Sequence, residues 1–139
     1  MNSKAFVLEL IRATGRVTEA LMQGLKPHDI SIQQFNVLRI LRGQKGIAAN
    51  LGTVHDLMIH KMSNTTRLID KLIYKKLVKR NTCKENRRKI ELFITPAGLK
   101  TLEKVDPIVD QIEAELTHFF SEEQRAKMIN MLKQIQTQN

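Results

Sequence analysis

The sequence predicts a mainly α fold that carries one small β-hairpin, and three observations support it. Apolar residues recur at helical spacing along most of the 139-residue chain, with good capping residues where the stripes begin. The period changes to alternation only between residues 77 and 94. No internal repeat and no low-complexity linker interrupts the chain, whose length suits one domain able to bury a core without disulfide staples. With no Trp and one Tyr, that core must be aliphatic.

The first helix is expected over residues 4–25, where Phe6, Val7, Leu10, Ile11, Val17, Leu21 and Leu25 form the stripe and Gly24 and Pro27 end it. Ser31-Ile-Gln-Gln34 has capping-box form and opens a second helix, with Phe35, Leu38 and Leu41 inward and Gly43 and Gly46 as stops. Thr53 is expected to cap a short third helix, and Met58 and Met62 continue its apolar face. Ser63 is expected to cap a fourth helix. In that helix Thr65, Leu68, Ile69, Leu72 and Ile73 face the core, while Asn64, Arg67 and Lys71 share the opposite face.

Leu77–Thr82 and Lys89–Ile94 alternate and are β-branched, which gives two strands joined by the polar tip Cys83–Arg88. Thr95 and Pro96 then start a long helix whose stripe is Leu99, Leu102, Val105, Val109, Ile112 and Leu116. Pro107 is expected to kink or split it. Ser121-Glu-Glu-Gln124 is a second capping box, before a last helix carrying Met128, Leu132 and Ile135.

This order defines a winged helix-turn-helix flanked by helices. The centre, residues 31–95, is a compact helical unit with a β-hairpin wing. The flanking segments, 1–30 and 96–139, carry apolar stripes with no partner inside the centre. Burying them against each other and against a second chain makes them dimerisation helices.

Charge gives the centre a role. The chain has a formal charge of +9, and residues 60–100 hold twelve Lys and Arg against three acids, so the whole excess lies there. Such confinement points to an anionic partner. In a helix-turn-helix the second helix enters the DNA major groove, led by its N-terminal residues, here Ser63, Asn64, Thr65, Thr66 and Arg67, with Lys71 one turn on. Asn pairs bidentately with adenine and Arg with guanine, each discriminating by about 1–3 kcal/mol. Hydroxyls and helix N-terminal amides suit phosphates. Lys84, Arg87, Arg88 and Lys89 cluster on the wing, where an Arg can enter the narrow minor groove.

The segments Ser31–Leu38, Lys61–Leu72, Leu77–Arg80, Asn86–Arg88 and Ile94–Gly98 together resemble the MarR family of winged-helix regulators over nearly the whole chain. The resemblance implies a homodimer that reads a pseudo-palindromic double-stranded operator, a repressor relieved by a small, often anionic, ligand. It implies base contacts from Ser63 to Arg67 and a minor-groove contact from the wing, with Arg88 favoured over Arg87. The family usually has an acid at the wing position held here by Asn86, which orients the wing arginines; Glu85 is a substitute close by.

Other chemistry finds little support. Asp56 and His60 stand four apart, but a metal site needs more ligands and no third is evident, so neither metal nor cofactor is expected. No acid–base constellation and no Gly-rich phosphate loop points to an enzyme. The single cysteine, Cys83, forms no intrachain disulfide and fits a reducing cytoplasm. At the start of the wing, near Arg80 and Lys84, its thiolate form is favoured, so a redox-sensing regulator is one alternative. A basic helical module on an anionic membrane or an acidic protein is another. No signal peptide and no membrane span is expected.

Overall fold

The structure is a computed structural model that describes residues 2–59, 64–82, 85 and 89–137. The observed order is α1 (Ser3–Leu25), a 3-10 turn (Lys26–His28), α2 (Ile32–Gly43), α3 (Leu51–Leu57), α4 (Thr65–Tyr74), β1 (Val78–Thr82), β2 (Ile90–Ile94), α5 (Pro96–Thr117) and α6 (Glu122–Gln136). It matches the expected mainly α fold with a hairpin wing.

The core sits in the centre. Val37, Leu38 and Leu41 of α2, Val54 of α3, Ile69 and Leu72 of α4 and Leu92 of β2 pack with Leu102, Val105 and Val109 of α5. All ten are buried, so this core removes aliphatic surface from water on every side. The strands pair antiparallel from Val78 opposite Ile94 to Thr82 opposite Ile90. Ala49 adds an isolated bridge to Leu92, exchanging both backbone hydrogen bonds at 3.1 and 2.7 Å, and so ties the segment before α3 to the wing.

Four expectations are corrected. Gly24 does not end α1 but lies inside it, where a Cβ would collide with Ile112 of α5; the missing side chain permits the close helix crossing. Asn50, not Thr53, caps α3: its side-chain oxygen accepts from the Thr53 amide at 2.8 Å, which places Thr53 in the first turn. Pro107 does not split α5, which runs unbroken to Thr117, with Val105 and Val109 held in the core on either side. Leu99 is exposed, so the buried stripe of α5 begins at Leu102. The capping boxes at Ser31 and Ser121 and the Thr95 cap form as expected.

The terminal helices are packed differently. Of α1 only Leu25 is buried, and of α6 nothing is. Phe6, Val7, Ile11 and Val17 of the α1 stripe are exposed, as are Leu132 and Ile135 of α6.

Candidate nucleic-acid interface

The α3–turn–α4 unit is built from the core outward. Ile69 and Leu72 anchor α4 against α2, which leaves Asn64, Thr66, Arg67 and Lys71 exposed on its outer face. Arg67 and Lys71 make no ion pair among the described residues. Their charge is therefore presented to solvent uncompensated.

The cap of α4 differs from expectation. Ser63 lies outside the described residues, and Asn64 is the cap, accepting from the Arg67 amide at 3.1 Å. The cap uses one of the two lone pairs of the side-chain oxygen that a bidentate adenine contact would use, so the cap restricts the orientation in which Asn64 can meet a base. Thr65 also has a second task. Its hydroxyl lies 3.0 Å from Nδ1 of His55, which joins the first turn of α4 to α3. Asn36 of α2 accepts from the Ile59 amide at 3.0 Å and fixes the other end of the turn. Composition gives no signal for either tie, because both bridge distant or irregular positions.

At its far end α4 closes on Lys76, which takes a left-handed conformation (φ 64°) while the Leu77 amide bonds to the Leu72 carbonyl. The Lys75 ammonium reaches away from the outer face. It donates to the Asp29 carbonyl and, at 3.1 Å, to Oε1 of Gln34, the residue that also completes the α2 capping box. Sequence reading missed this link.

The wing follows α4 and is tied to the segment before α3 through the Ala49–Leu92 bridge. Lys79 and Arg80 of β1 and Lys89 before β2 are exposed, and Lys89 lines a small hollow with Asn50, Leu51 and Gly52 at the start of α3. Lys84, Arg87 and Arg88 lie outside the described residues, as do Cys83, Asn86 and His60. The structure thus brings Asn64, Thr65, Thr66, Arg67 and Lys71 onto one helix and Lys89 onto the hairpin.

Two further features bear on function. An open cavity of about 880 Å³ lies between α1 and the start of α2, lined by Thr18, Met22, Lys26, Ile30, Gln34 and Lys75 among others. No helix among the described residues is long and apolar enough to cross a membrane, and no group of three His, Cys, Asp or Glu among them is placed to hold a metal ion.

A short helix, a fixed turn, a second helix with an outward basic face and a hairpin behind it define a winged helix-turn-helix protein. Over nearly the whole chain the fold is that of the MarR-family transcription regulators. The chain is similar to Bordetella bronchiseptica BpsR, solved for the regulation of its DNA binding by 6-hydroxynicotinic acid, at 24% identity, 100% of this chain, 97% of that chain and a TM-score of 0.86. It is similar to a MarR transcription factor from Planctomyces limnophilus at 28% identity, 94% of this chain, 95% of that chain and a TM-score of 0.75. A mutant of E. coli MarR complexed with operator DNA is 23% identical, with 96% of each chain covered and a TM-score of 0.82. Neither a protein-family model nor a curated relative matches the sequence.

Proposed function

We propose that the protein is a homodimeric transcription regulator of the MarR type, a repressor that binds a pseudo-palindromic double-stranded operator and is not an enzyme. The observation that carries this reading is the outer face of α4. Arg67 and Lys71 stand there without an ion pair among the described residues, on the second helix of a helix-turn-helix, within the segment that holds all of the chain's excess charge. Ser63, Asn64, Thr65, Thr66, Arg67 and Lys71 serve the major groove. Thr65 does so mainly by setting the first turn of α4 through His55. Lys84, Arg87, Arg88 and Lys89 serve the wing, with Arg88 in the minor groove. Residues 31–95 form the DNA-binding region, and residues 1–30 and 96–139 form the dimer interface of a single protomer. The exposed stripes of α1 and α6 support that division.

Relief by a small molecule is part of the same proposal. The cavity beside α1 is large enough for a drug-sized ligand. Its wall includes Lys75, one residue beyond α4, so an anion there competes with Asp29 and Gln34 for the ammonium and pulls on the end of the reading helix. The protein acts in the cytoplasm and needs no membrane.

Selection of bound duplexes from a random pool tests the reading. The expected result is an enriched inverted repeat with half-sites about one helical turn, roughly 34–36 Å, apart. Arg67→Ala changes or abolishes the enriched motif, and Arg88→Ala weakens binding to it. Affinity falls steeply with salt as condensed counterions are released. Retention of DNA with no enriched sequence would leave only a non-specific basic protein.

A further inference from the structure

The outer face of α4 does not end at Lys71. Successive residues turn about 100° around a helix, so Tyr74, seven after Arg67, returns to within about 20° of it. Tyr74 is 89% exposed and makes no hydrogen bond among the described residues. Exposure of one aromatic residue says little by itself. Its company says more: Arg67, Asp70, Lys71, Tyr74 and Lys75 line a shallow hollow of about 320 Å³ on the outer side of the helix, with the Lys75 ammonium itself turned away to Asp29 and Gln34. Beside Tyr74 the Arg67 guanidinium and the Lys71 ammonium outweigh the one carboxylate, Asp70, so the phenol offers a hydroxyl donor in a net positive local field that draws an anion.

The spacing identifies the anion. At 1.5 Å per residue, Tyr74 lies about 10 Å along the axis from Arg67. The major groove of B-DNA is about 12 Å wide. A helix lying in that groove has a sugar-phosphate wall on either side, and it reads bases with its N-terminal residues, so with Arg67 at the base edges the exposed Tyr74, about two turns further on, faces backbone phosphates. We propose that Tyr74 is a DNA-contacting residue whose phenolic hydroxyl donates to an operator phosphate that the Lys71 ammonium also engages. The inference rests on α4 being the helix that enters the groove. Its consequence is that Tyr74 sets affinity and docking depth, because a phosphate contact carries no base information.

Tyr74 is the only tyrosine in a chain without tryptophan, so its chemistry is read without interference. The test uses the full-length protein and the duplex recovered by selection. Binding is followed by anisotropy of labelled DNA, and acetylation of the Tyr74 hydroxyl by N-acetylimidazole is followed by mass spectrometry. Exposed Lys127 of α6 is the internal reference. The expected result is that duplex blocks acetylation of Tyr74 but not of Lys127. Tyr74→Phe keeps the ring and the fold, and is expected to weaken binding about tenfold, the size of one net hydrogen bond to a charged group. The loss is expected to be the same for the selected duplex and a scrambled one. Tight DNA binding with Tyr74 still freely acetylated, or protection without any loss in Tyr74→Phe, overturns the proposal and leaves the regulator reading standing. Failure of the wild-type protein to bind any duplex overturns both.

Discussion

The centre and the terminal helices of this protein carry equally clear apolar stripes but use them in opposite ways. In α2, five of twelve residues are buried. In α1, one of twenty-three is, and in α6 none. Phe6 remains 57% exposed and Ile11 63%. An amphipathic helix is stable in water only when its apolar face is covered, so a complete core in one region and bare stripes in the other mark where the protomer ends and the assembly begins. The centre shares its core with α5 through Leu102, Val105 and Val109, against the expectation that the flanking stripes find no partner there, and the bare stripes of α1 and α6 are what the proposed dimer would cover. The same division separates function. The centre presents Arg67 and Lys71 outward on a buried support, whereas in the proposed dimer the arms would set how far apart two such faces stand.

The contrast is broken most severely from inside. Leu72 is fully buried in the core cluster, and Leu72→Ala removes its contacts and leaves a cavity. A loss of about 2–5 kcal/mol in urea unfolding is expected. A loss below about 1 kcal/mol would show that the centre is loosely packed and that burial there does not set stability.

The arms should fail in another observable. Ile11→Asp places a charge on the exposed stripe of α1, and the proposed dimer must then bury it unpaired. Sedimentation equilibrium is expected to show the dimer dissociation constant raised about a hundredfold, near 3 kcal/mol. An unchanged constant would mean that α1 faces solvent and that the interface lies elsewhere.

How much of this was legible follows the same line between local and distant. Ser31, Thr95 and Ser121 were readable as caps because each hydroxyl bonds an amide only three residues on. Thr53 misled because Asn50 stands three residues earlier and is an equally good cap; which one wins depends on where Val54 must enter the core. At α4 the choice between Ser63 and Asn64 was similarly close. Pro107 does not split α5 because the rule counts one lost backbone bond and not the burial of Val105 and Val109, which holds the helix together across it. The Ala49 bridge, the Lys75 link to Gln34 and the cavity beside α1 join positions far apart in the chain, and no periodicity records them. The stripe Asn64, Arg67 and Lys71 was legible from spacing alone, and the same spacing already reached Tyr74.

The smallest expected effect lies on the seam between the two regions. Arg42 of α2 and Asp106 of α5 approach to 2.5 Å, with side chains 36% and 25% exposed. The second oxygen of Asp106 is buried without a hydrogen-bond partner among the described residues. Two opposing terms meet there. The charge pair favours docking of α5 on the centre, but partial exposure screens it, and the unpaired oxygen has lost its water without replacement. Asp106→Asn keeps the shape, removes the charge and leaves an amide group equally short of partners. A net destabilisation of about 0.5–1 kcal/mol is therefore expected, and the coupling between Asp106→Asn and Arg42→Gln in a double-mutant cycle should shrink as salt is raised. A coupling above about 2 kcal/mol that ignores salt would instead make the pair a buried clasp, and α5 would belong energetically to the centre along that whole stretch rather than to the arms.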